Sequence, residues 1–148
     1  MKKYLYILLV VLSIVARDQI TKHLVASYLN PLDSIEISPF LHIVSIRNVG
    51  AAFGMFRNFG SSFFIGISFV AIVFVLWLLI KSSYNYFGLS LVLGGAIGNL
   101  IDRVLYGKVI DFIDFSVGNF HWPAFNVADS SLTIGIIIIL FSSLFGEK

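Results

Sequence analysis

Cysteine is absent from the 148 residues, which excludes disulfides, thiolate nucleophiles, Cys-ligated zinc and iron–sulfur clusters. Charge is scarce as well: Asp, Glu, Lys and Arg make up 12% of the chain, the formal net charge is +2, and no block of one sign occurs. A phosphate backbone is tracked by a basic stripe, so nucleic acid is not an expected partner. His23, His42 and His121 fall at no metal-ligand spacing, and neither HExxH nor a serine–histidine–acid arrangement is present. Metal-assisted and triad hydrolysis are therefore disfavoured, and no metal or cofactor is expected.

What the chain has instead is apolar length. Hydrophobic residues are 58% of it and the mean hydropathy is +0.95, well beyond the roughly 45–50% apolar content of soluble domains. One integral membrane domain over residues 1–148 is expected, with no room for a separate soluble one. Residues 4–16 alone would rise only about 20 Å, short of the ~30 Å hydrocarbon core, so the first helix must continue through Arg17-Asp18 to about residue 28. Ile14 spoils the small-residue pattern that cleavage after Ala16 would need, and the helix is read as retained. Asp18 then lies within the outer part of the bilayer, where an ionisable group faces the bundle interior or a wet cavity.

Pro31, Pro39 and the alternation of Ile35/Ile37 and Leu41/Ile43 mark residues 30–59 as strand and loop. Further spans follow at about 63–80, closed by Lys81, at 87–105, opened by the polar turn 82–85, and at 127–145. Between the last two, residues 106–126 carry a hairpin turn at Gly118-Asn119. The expected fold class is an all-α membrane protein of four transmembrane helices with a small extracytoplasmic β-strand and loop segment. Lys and Arg counts orient it weakly, with Lys2, Lys3, Lys81 and Lys148 opposed by Lys22, Arg47, Arg57, Arg103 and Lys108. The N-terminus, the 81–86 turn and the C-terminus are placed inside, because the opposing cations sit among acids that look like a site. Tyr28, Tyr84, Tyr86 and Trp122 suit aromatic belts at the two interfaces.

Asp18, Asp102, Asp111, Asp114 and Asp129 all fall toward the outer face. Two carboxylates sharing a low-dielectric site do not both ionise easily, so one keeps a proton while the other acts as a base, an arrangement that can cleave an amide without a covalent step. Asp129 also fits a structural role, as the third residue of a helix capped by Asn126 and reaching back as in a capping box. Asp111 and Asp114 point to opposite sides if their segment is extended, and spacing does not choose between them. Either could simply pair with Lys108, and Asp102 with Arg103 or Lys108. Gly94 and Gly98 have the spacing that lets membrane helices approach closely. Asn99 and Arg103 share a helix face and require partners there. The run Arg47-Asn48-Val49-Gly50-Ala51-Ala52-Phe53-Gly54 is loop-like, and its glycines permit close backbone approach.

Taken together, Asp18-Gln19-Ile20-Thr21-Lys22, residues 47–54, residues 94–103, Val109-Ile110-Asp111-Phe112 and residues 125–130 resemble the bacterial lipoprotein signal peptidase (signal peptidase II) family, in order and over essentially the whole chain. The resemblance implies a four-helix aspartic endopeptidase of the bacterial inner membrane with its active site toward the extracytoplasmic face, and a monomer is expected. It would remove the signal peptide from prolipoproteins by cutting before the diacylglyceryl-modified cysteine, and globomycin-type inhibitors would block it. The resemblance carries the catalytic pair onto Asp111 and Asp129, and substrate-binding positions onto Asp18, Asn48, Asn99, Arg103 and Asn126. Two other classes fit the residues less well. A small proton- or cation-coupled transporter would use buried Asp18, Asp102 and Asp129 as a relay, but no inverted repeat is present. An assembly subunit would use the Gly94/Gly98 surface, with the acids as caps and ion pairs.

Overall fold

The computed structural model describes residues 2–31, 33–50, 59–81 and 85–145. Residues 51–54 of the glycine run, Arg57, the 82–84 part of the turn with Tyr84, and Lys148 lie outside the described residues. Four long helices, α1 (Lys2–Tyr28), α2 (Gly60–Lys81), α3 (Tyr86–Tyr106) and α4 (Val127–Phe145), are each long and apolar enough to cross a membrane. Four strands, β1 (Ser34–Ser38), β2 (Leu41–Asn48), β3 (Val109–Val117) and β4 (Phe120–His121), form an antiparallel sheet in the order β1-β2-β3-β4.

Local chemistry sets the helix ends. α1 stops short of Pro31, which disfavours helical backbone at the residue before it. The Asn85 side chain caps α3 by accepting from the N–H groups of Phe87 and Gly88, and Gly107 closes that helix in the left-handed conformation at φ 68° with its N–H on Arg103 O. At the start of α4, Asn126 Oδ1 accepts from the Asp129 N–H at 2.9 Å while Asp129 Oδ2 accepts from the Asn126 N–H at 3.3 Å. That reciprocal pair is a capping box, as the sequence predicts.

α3 is the central helix. Its Gly94 lies so close to α1 that a Cβ there would sit 2.9 Å from Ile14 Cβ, Gly98 is tighter still against Asp18 at 2.6 Å, and Gly95 abuts the Ala128 carbonyl of α4. Backbone approach of this kind is the main source of attraction between helices in lipid, where burying apolar surface gains nothing. The other helices turn wide apolar faces outward, among them Phe69, Val70, Phe74 and Trp77 of α2, as a lipid-facing surface should. At one end of the bundle Lys3 Nζ donates to Leu79 O and Tyr6 packs edge-on to Tyr86. The sheet covers the other end, with Phe112 of β3 packed on Val25 of α1 and on Leu29 just beyond that helix.

Candidate active site

Asp111 and Asp129 reach the same place by different routes. Asp111 is on β3; in that extended strand Asp114 turns to the opposite face and pairs with His121 Nδ1 at 2.8 Å rather than with Lys108. Asp129 is in the first turn of α4. The two segments are joined by Phe125, whose carbonyl accepts from the N–H groups of Phe112 and Ile113 and whose own N–H returns to Ile113 O. That bridge sets Asn126 beside Asp111, to which its amide donates at 2.7 Å.

Each carboxylate is held by asparagine amides. Asp111 accepts from Asn48 Nδ2 at 2.9 Å as well as from Asn126, and Asp129 accepts from Asn99 Nδ2 at 2.8 Å. Asn48 arrives through a β-bulge. Ile43 of β2 pairs with Ile113, but Ile46 pairs with Asp111, so β2 has one extra residue between them. Without it, alternation would put Arg47 on the face of Asp111; the bulge puts Asn48 there.

Both carboxylates line one cavity of about 1040 Å³, together with Asn48, Asn99 and Arg103. Its remaining walls are largely apolar: Phe63, Phe64, Ile67 and Ala71 from α2, Leu132 and Ile134 from α4, and Trp122 through Phe125. Burial in this wall, with the charge of Asp129 beside it, pushes the Asp111 carboxyl up to about 7, against the opposing pull of the Asn48 and Asn126 amides and of Lys22. Arg103 stacks on the Phe64 ring with its Cζ 5.2 Å from the centroid and donates to the carbonyls of Gly50 and Asn99 at 3.3 and 3.4 Å.

Asp18 and Asn126, by contrast, have no exposed surface and do not line the cavity. Asp18 accepts from the Ala128 N–H at 2.9 Å and from Lys22 Nζ at 2.7 Å. The ion-pair partner of Asp102 is also Lys22, at 3.2 Å, and not Arg103 or Lys108, and Gln19 Nε2 donates to its other oxygen at 2.9 Å. Sequence reasoning missed Lys22 as a partner, although its place four residues after Asp18 on one helix was a readable signal. It also missed the α2 wall, whose Phe, Ile and Ala residues look like any lipid-facing surface. Among the described residues, no group of three His, Asp or Glu side chains could hold a metal ion.

Fold and cavity together define a multi-pass membrane protein with a carboxylate-centred site at one end of its bundle. Residues 10–145 match the family described as signal peptidase (SPase) II. A lipoprotein signal peptidase of Thermodesulfovibrio yellowstonii is 49% identical over 86% of this chain and 86% of that protein, and one of Francisella tularensis subsp. novicida is 42% identical over 99% and 95%. A solved bacterial membrane enzyme superposes with a TM-score of 0.87 at 40% identity, covering 94% of this chain and 87% of that one. The chain belongs to the signal peptidase II family and is a membrane peptidase.

Proposed function

We propose that this peptidase removes signal peptides from prolipoproteins at the bacterial inner membrane, cutting before the diacylglyceryl-modified cysteine, with Asp111 and Asp129 as its catalytic pair. The observation that carries the reading is the presence of two amide-held carboxylates on the wall of one large apolar cavity. A lipid-bearing peptide needs both features, since its acyl chains must stay out of water while its scissile amide meets the acids. In this mechanism one carboxylate takes a proton from water as the water oxygen attacks the scissile carbonyl carbon. The protonated partner donates a hydrogen bond to the carbonyl oxygen. Collapse of the tetrahedral intermediate breaks the C–N bond, and the departing amine takes up the proton.

Asn48, Asn99 and Arg103 can reach the peptide from the cavity wall. Asp18 and Asn126 serve from behind, holding the start of α4 and the Asp111 carboxylate. The site end faces the extracytoplasmic side in this reading, with Lys2, Lys3 and Lys81 inside, and the protein works as a monomer. The pairing of Asp18 and Asp102 with one lysine speaks against a proton or cation relay through them.

The test is cleavage of a lipidated and an unlipidated precursor by purified protein, with and without globomycin. Globomycin-sensitive cleavage of the lipidated form is the expected result, and D111N and D129N should each lower it about a thousandfold. Near-normal cleavage by either folded variant would overturn the pair; equal cleavage of both precursors would overturn the lipid requirement.

A further inference from the structure

Lys22 lies beneath the carboxylate pair with 2% of its side chain exposed. An ammonium has three donors and no acceptor. Here the three meet Asp18 Oδ2 at 2.7 Å, Asn99 Oδ1 at 3.1 Å and Asp102 Oδ2 at 3.2 Å. Each acceptor leads in one further step to one of the two proposed catalytic acids or its chain neighbour. Asp18 Oδ1 holds the N–H of Ala128, the residue before Asp129. Asp102 Oδ2 holds the N–H of Ile110, the residue before Asp111. Asn99 holds the Asp129 carboxylate itself.

The Asn99 contact is the informative one. Because Lys22 can only donate, the Asn99 amide must turn its oxygen toward the ammonium, and its NH₂ is thereby aimed at Asp129. The Asn126 amide donates to the same oxygen at 3.2 Å and to Asp111 at 2.7 Å, so the orientation of one amide is passed across to the other acid. Asn99 is thus both an acceptor for the ammonium and the donor to Asp129, which ties the lysine to that carboxylate through a single side chain.

We propose that Lys22 is a positioning residue of the peptidase reaction, its ammonium fixing the Asn99 amide and the backbone before each aspartate so that the two carboxylates meet the substrate in register. The inference rests on Asp111 and Asp129 being the catalytic pair. It predicts an effect on turnover rather than on substrate binding, because Lys22 is walled off from the cavity.

The experiment measures kcat and KM on a lipidated precursor in nanodiscs, per folded molecule counted by monodisperse elution, for wild type, K22M, N99A and the double variant. K22M should lower kcat about 10- to 100-fold with KM within about threefold of wild type. The double variant should be slower than N99A by a smaller factor than separates K22M from wild type, because part of the lysine's effect runs through that amide. K22Q, which restores a donor without the charge, should recover part of the loss. Wild-type kcat per folded K22M molecule, a change confined to KM, or losses that multiply in the double variant would each overturn the proposal. If K22M does not fold, K22Q is judged by the same criteria, and failure of both to fold would assign Lys22 to stability alone. D129N separates the two readings: normal cleavage by D129N defeats the catalytic pair, whereas an inactive D129N beside a normal K22M defeats only the role of Lys22.

Discussion

At the scale of single residues, Asp111 sets a pH dependence whose sign follows from its surroundings. Its carboxyl is raised to about 7 by burial and by Asp129, so below that pH it holds a proton and above it that proton is lost. Turnover of a lipidated precursor should therefore fall as pH rises through about 7. Stability should move in the same direction. The unfolded chain releases this proton near 4 while the folded chain keeps it to about 7, so stability is lost as pH rises across that window. Thermal midpoints in detergent should fall over pH 4.5–7 more steeply for wild type than for D111N; parallel curves would show that Asp111 titrates normally. Asp129 was legible from sequence both as a cap and as a candidate acid, and the capping box leaves room for both: the helix start that needs the carboxylate also immobilises it. Asp111 was not separable from Asp114 by spacing. The strand's alternation separates them, sending one to the cavity and the other to His121.

At the scale of elements, the β2 bulge and the α3 glycines place the site. Deleting Ser45 would remove the extra residue of β2, return Arg47 to the face of Asp111 and take Asn48 away. Leaving a buried hydrogen-bonding group without its partner costs about 1–3 kcal/mol, so cleavage should drop about 10- to 100-fold while the protein still assembles in the membrane. Unchanged cleavage would show that the register is irrelevant to the site. Gly95 has no space for a methyl group beside the Ala128 carbonyl, while Gly66 has nothing within 4 Å. G95A should lower stability by about 1–3 kcal/mol and depress activity, since the displaced backbone leads directly to Asp129. G66A should leave the thermal midpoint where it was. The sequence predicts the helices within a few residues because length and hydropathy report on lipid directly. It does not predict the bulge, because an inserted residue in a strand leaves no mark on composition or period.

At the scale of the whole molecule, the cavity between α2, α4 and the β4 end of the sheet is what makes a bundle of four helices into a site. Ala71 lies on that wall and also on an adjoining groove of about 590 Å³ along α2, beside Phe63, Gly66, Ile67, Val70 and Phe74. A71W should fill part of this apolar space. KM for a lipidated precursor should rise about tenfold while kcat and the thermal midpoint stay near wild type, the pattern of lost uniform binding. A fall in kcat with KM unchanged would show that this wall serves the chemistry and not the lipid.

Length, hydropathy and the absence of cysteine and charge blocks determined by themselves that this is a four-span membrane protein with acids gathered at one end, because lipid tolerates only long apolar helices and expels unpaired charge. The ordered motifs pointed to its family. Tertiary structure decided the rest: that Asp111 rather than Asp114 faces Asp129, that Asn48 rather than Arg47 reaches it, that Asp18 and Asn126 stand behind the cavity, and that Asp102 answers to Lys22. Each of those outcomes depends on strand register, on a backbone bridge at Phe125 or on helices 80 residues apart in the chain pressing together, and such distances are set by packing and not by any local pattern.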